Sequence, residues 1–215
     1  DYAARLLAAI PPGLRDALRD RERAGPVIAA LLLAEPEAAR ERQLHAIPGV
    51  AIAERIRAAA PLTRGLGLAW HLPVIDLGLS ALKPLQTAAK VEILAAIEAV
   101  IHADRRVSLH EFVVLALLRS ELAPRPKAPE TRKIRELAGE AATVLALVAY
   151  AGTRADATGA RDAALQTAVR AGAATLGIPE RVPSPTELTL DAASAALEAL
   201  RSLAPMQKGV LVKGL

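Results

Sequence analysis

Cysteine is absent from this chain of 215 residues, which excludes disulfides, thiolate metal sites and cysteine nucleophiles. Aromatic residues are almost as scarce: Tyr2, Trp70, Phe112 and Tyr150 are the only four. Nucleic-acid binders need a continuous basic face, and single-strand binders also aromatic platforms. Four scattered rings and a net charge of +4 supply neither, so no nucleic-acid partner is expected. Long apolar runs are missing too. The longest candidates, Val27 to Ala34 and Thr143 to Gly152, fall well short of the roughly 18 residues that mark a membrane span. No basic, apolar and small-residue leader is visible, so export cannot be argued from a signal peptide.

What the chain has is apolar, helical-looking sequence. Apolar residues make up 53% and charged residues 23%, interleaved, enough for one sizeable core or two small ones. Alanine and leucine dominate, β-branched residues come singly, and apolar positions recur at three- and four-residue steps, as in Ile93, Leu94, Ile97, Val100 and Ile101. That is the helical period. The expected fold is all-α, a bundle of about nine or ten helices with no sheet.

Punctuation places the helices. Pro12 and Pro26 suit first-turn positions, Gly13 and Gly25 suit boundaries, and Asp191 precedes an apolar run as an N-cap would. Helices are predicted near 11–22, 26–34, 37–46 and 50–59, then 84–103 and 108–122, 130–151 and 158–177, and from Asp191 to Leu203. Residues 61–83 are dense in leucine but interrupted by Gly65, Gly67, Pro73 and Gly78, and stay ambiguous. Three prolines between Ala123 and Pro129 rule out a continuous helix there, leaving a linker or exposed loop at 123–129. The expected division is a short-helix region over 1–70 and a helical domain over 71–215.

Few residues look chemical. His110-Glu111 starts like the H-E-x-x-H zinc motif, but Val114 stands where the second histidine belongs, so zinc hydrolysis by this chain is not expected. Ser108-Leu109-His110-Glu111 reads instead as a capping box, with Ser108 as N-cap and Glu111 at the third helical position. A sharper reading groups His102, Asp104, His110 and Glu111 as ligands of a divalent cation in the interhelical loop. Arg105 and Arg106 sit where further acidic ligands would help, and the calcium-loop pattern is missing. His45 and His71 look isolated, at the surface or the edge of the core. Gly65-x-Gly67 lacks the third glycine and the strand of a dinucleotide site. Between Arg119 and Glu136 six basic residues face three acidic ones, and Arg125, Lys127, Arg132 and Lys133 are candidates for contact with an anionic surface.

An internal echo is the most distinctive pattern. Leu79, Leu82, Pro84, Leu85, Gln86, Val91 and Leu94 recur 121 residues later as Leu200, Leu203, Pro205, Met206, Gln207, Val212 and Leu215. The first copy continues into the loop and capped helix at 104–111, and the second does not, so the chain is expected to be a piece of a longer protein. The segment Ile101 to Phe112 resembles the helix-loop-helix signature of TerB-like domains, A-D-G-x-[IV]-x-x-x-E, through Ala103, Asp104, Val107 and Glu111. It departs from it at Arg105, where glycine is usual. The order of Leu72, Pro73, Asp76 and Leu79, the Leu-x-Pro-Leu-Gln segment, this signature and a later Leu-x-Pro-Met-Gln segment is similar to the carboxy-terminal region of long bacterial membrane metallopeptidases of the HtpX and CAAX-protease type. Ala30-Leu31-Leu32-Leu33 and Arg40-x-Arg42-Gln43-Leu44 fit that region as well.

That resemblance implies a noncatalytic interaction or regulatory domain on the cytoplasmic side of the bacterial inner membrane. Its partner would be the catalytic part of its own parent chain or another protein, with an anionic membrane surface as a further contact. No cofactor is expected in this segment, and zinc is expected in the parent's catalytic part. Two alternatives stay open: a stand-alone helical scaffold for a protein partner, and a small-molecule or lipid-binding bundle, for which Gly172 and Ala173 leave room on one helix. Small residues also serve close helix packing.

Overall fold

The computed structural model describes residues 10–103, 108–123, 129–153, 160–184 and 187–215. Among them the fold is all-α: eleven helices and no strand. The chain divides into two compact units, Asp1–Arg125 and Pro126–Leu215. This boundary falls in the proline-rich stretch, whereas the division expected from composition stood at 70/71. The reason is burial: apolar residues from Ile10 to Leu122 join in one core, so the short N-terminal helices have no separate interior.

The first unit contains α1 (Pro12–Arg19), α2 (Ala24–Ala30), α3 (Glu37–Ala46), α4 (Val50–Thr63), a 3₁₀ turn (Leu68–Trp70), α5 (His71–Leu82), α6 (Thr87–His102) and α7 (Leu109–Leu122). Every residue of α2 is buried. It is apolar all round, as a central helix must be, and packs against α1, α4, α5 and α6. Two of these approaches are set by glycine. A Cβ at Gly25 would lie 2.7 Å from Ile93, and one at Gly78 would lie 2.9 Å from Ile28. Pro61 lies inside α4, where the sequence predicts an end near residue 59; so close to the last turn it disturbs little of the hydrogen-bond ladder.

The ambiguous 61–83 segment resolves into the 3₁₀ turn and α5, with Pro73 in the first turn of the helix, where a missing N–H costs nothing. Its buried residues, His71, Val74, Ile75, Gly78, Leu79, Ala81 and Leu82, keep the helical period.

The second unit contains a 3₁₀ turn (Ile134–Leu137), α8 (Ala138–Gly152), α9 (Ala160–Leu176), α10 (Leu190–Leu200) and α11 (Pro205–Gly214) around its own core. The helix expected from residue 130 starts later, because Arg132 is extended. Its N–H donates to Ser202 O at 3.0 Å, and its carbonyl accepts from Ala204 N at 3.0 Å. Thr189, not Asp191, caps α10, its hydroxyl accepting from Ala192 N at 3.1 Å; Asp191 sits in the first turn, where its charge suits the helix dipole. Small residues at the α9–α11 crossing allow close packing: a Cβ at Gly172 would lie 2.6 Å from the Gly214 carbonyl oxygen.

The sequence echo falls on a helix, a short turn and a second helix in both places, with the boundaries shifted by a few residues. Pro84, Leu85 and Gln86 lie in the turn before α6, with Gln86 as N-cap, whereas Pro205, Met206 and Gln207 are the first three residues of α11. Gln207 accepts from Ile134 N at 3.1 Å, a contact that holds this helix start against the preceding segment of its own unit.

Candidate functional site

The first unit carries a half-open cavity of about 720 Å³. Its walls come from the end of α2 and the following loop (Ala30 to Glu35), the end of α4 with the loop after it (Thr63 to Leu68), His71 of α5, and Ser108, His110 and Glu111 at the start of α7. The loop walls are held by buried polar side chains. Gln43, on α3, accepts from Ala34 N at 2.7 Å and donates to Leu32 O at 3.3 Å and Val100 O at 3.2 Å. Thr63 donates to Ala30 O at 3.2 Å. Gln43, Thr63 and His71 are the buried polar residues recorded among the described residues, and all three line or brace this one cavity. Burying such groups is unfavourable unless each is hydrogen-bonded, so their concentration here marks a place where shape is fixed by polar contacts.

His71 is 6% exposed and faces His110. His110 Nε2 and His71 Nδ1 are 3.0 Å apart, with ring centroids 4.9 Å apart and planes at 63°. Burial pushes the His71 pKa below its ordinary value, His110 adds to that, and a hydrogen bond to the Leu66 backbone opposes it. His71 thus turns Nδ1 to the neighbouring helix.

Ser108 and Glu111 form a complete capping box at the start of α7. Glu111 N donates to Ser108 Oγ at 3.2 Å, and Glu111 Oε2 accepts from Ser108 N at 2.7 Å and from Ser108 Oγ at 2.7 Å. This places His110 at the second helical position, beside His71. The cation grouping expected from spacing does not assemble. Glu111 is held in the cap, His110 is turned to His71, and His102 is exposed at the end of α6. Asp104 lies outside the described residues, among which no three His, Asp or Glu side chains gather as metal ligands do.

His71 is the candidate side chain whose setting the sequence leaves open: of the two places expected it takes the edge of the core rather than the surface, and it is not isolated. Its partner is 39 positions away, and the local sign is its place on the apolar stripe of α5, one turn before Ile75.

Of the four basic candidates, two fall among the described residues. Arg132 is exposed and its Nε lies 3.4 Å from Glu136; Lys133 is exposed; Arg125 and Lys127 lie outside the described residues. Arg119, from the same stretch, is paired with Glu98 at 2.9 Å. Among the described residues no single helix is long and apolar enough to cross a membrane. No protein-family model, curated protein or solved structure matches the chain.

Proposed function

We propose that this chain is a noncatalytic binding module, and that the cavity of its first unit, with the rim around His71 and His110, is the recognition site. The observation that supports this reading is the convergence of the three buried polar side chains on a cavity whose walls combine apolar and charged residues. Leu68, in the wall, is 65% exposed, and Leu72, Leu109 and Val113, next to or near His71 and His110 in the chain, are exposed as well. A partly apolar concavity with a few fixed polar groups is the usual form of a binding site. The two histidines face each other rather than a serine or threonine, so they form no nucleophile–base pair.

On this proposal the module belongs to a membrane-bound zinc metallopeptidase of the bacterial inner membrane, on its cytoplasmic side, and contacts the catalytic part of that parent. This finer statement rests on the TerB-like segment at 101–112 and the ordered segments around it. The reading frame that encodes Asp1 tests it: an H-E-x-x-H helix and hydrophobic spans encoded upstream support the assignment, and a frame without them removes it. A peptide-hydrolysis assay with added zinc tests the noncatalytic part. Turnover that vanishes in His110→Ala would overturn it.

A small-molecule ligand is the second reading, and one specific observation favours it: about 720 Å³ falls in the range of small-molecule sites.

A further inference from the structure

The paired imidazoles have a geometry that a hydrogen bond does not exhaust. Nitrogens bound to one zinc-class ion at about 2.0–2.1 Å lie roughly 2.9 to 3.4 Å from each other for coordination angles from 90° to tetrahedral. His71 Nδ1 and His110 Nε2, at 3.0 Å, fall in that interval.

A second observation is the lining charge: three carboxylates, Glu35, Glu37 and Glu111, stand against two guanidiniums, Arg40 and Arg64. This balance favours a cation over an anion.

We infer that His71 Nδ1 and His110 Nε2 bind one divalent transition-metal ion of the zinc, copper or nickel class, its remaining positions open to the cavity. The ion would clip α5 to α7 at the rim. Glu111 is held in the cap through Oε2, which accepts from Ser108 N and Oγ, and is not part of the proposed ligand pair. This set differs from the His102, Asp104, His110 and Glu111 grouping, shares only His110 with it, and does not depend on the chain's attachment to a peptidase. Imidazole pairs suit zinc, copper and nickel rather than magnesium or calcium, which take oxygen ligands.

The test uses the full chain, stripped with chelator and titrated with zinc. Nitrogen-15 histidine spectra should show shifts at His71 Nδ1 and His110 Nε2, with the rings of His45 and His102 unmoved, and calorimetry should give one equivalent bound. His110→Ala, at a half-buried position that should still fold, should weaken binding at least about tenfold, while Glu111→Gln should leave it within about threefold. Magnesium in place of zinc should give no shift. No zinc shift at either ring, shifts confined to His45 or His102, or undiminished binding by His110→Ala would each overturn the site and leave the pair a plain hydrogen bond.

Discussion

Replacing Gln43 by alanine should loosen the cavity wall specifically, and its cost follows from the geometry. The side chain is buried and makes three hydrogen bonds, to Ala34 N, Leu32 O and Val100 O. At about 1 kcal/mol each the loss is about 3 kcal/mol, and the half-buried Ala34 N–H is left without its partner. Gln43→Leu restores apolar volume but none of the bonds, so it should recover less than half of the stability. Urea denaturation followed by circular dichroism measures the free energies, and amide hydrogen exchange at Ala34 isolates the wall. Exchange there should accelerate by about a hundredfold or more in both variants, while amides in α8 to α11 keep their protection. A loss under about 0.5 kcal/mol, or unchanged Ala34 exchange, would refute the claim that Gln43 holds the loop.

Ser108→Ala should cost roughly 1 kcal/mol through loss of the cap, read as a lower urea midpoint, with Ser108→Asp close to wild type. Gly172→Ala should destabilise by about 1–3 kcal/mol, because its Cβ would lie 2.6 Å from Gly214 O. Gly139→Ala, whose Cβ meets nothing within 4 Å, should be neutral or stabilising by up to about 1 kcal/mol; calorimetric melts of both variants give the contrast. His71 has its pKa lowered in the folded state from 6.5, so the unfolded chain takes up the proton first on acidification. The stability it contributes is full above about pH 6.5 and falls as pH drops toward the lower folded value. Urea midpoints measured between about pH 7.5 and 5 should show this fall, and His71→Gln should flatten it. Co-sedimentation with anionic vesicles, compared with neutral ones at low and high salt, tests surface contact by Arg125, Lys127, Arg132 and Lys133; salt-sensitive binding lost on their replacement by serine is expected.

The legible parts of this fold are those whose signals lie within a turn or two. Glu37–Ala46 follows Pro36, and α4 starts after Gly49, so their starts can be read locally. The box at Ser108 and Glu111 spans three positions, and both of its halves can be seen in sequence. Where two local signals compete, the choice depends on backbone geometry that sequence does not display. Thr189 and Asp191 are both good caps, and only the extended backbone at Thr189, with φ −82° and ψ 158°, selects the first. Pro84 and Pro205 sit in matching sequence but at different distances from their helices. The site was less legible than the fold. The cavity depends on Gln43 reaching Val100, 57 positions away, and on His71 reaching His110. Neither residue type announces such a contact, although His71 interrupts an otherwise apolar neighbourhood.

The proposed recognition role is tested most directly by hydrogen–deuterium exchange of this chain, alone and mixed with the catalytic part encoded in its own reading frame. The account predicts slowed exchange at residues 30–35, 63–72 and 108–113, the walls and rim of the cavity, with α8 to α11 unchanged. No slowing at those segments, or slowing confined to the second unit, would contradict it.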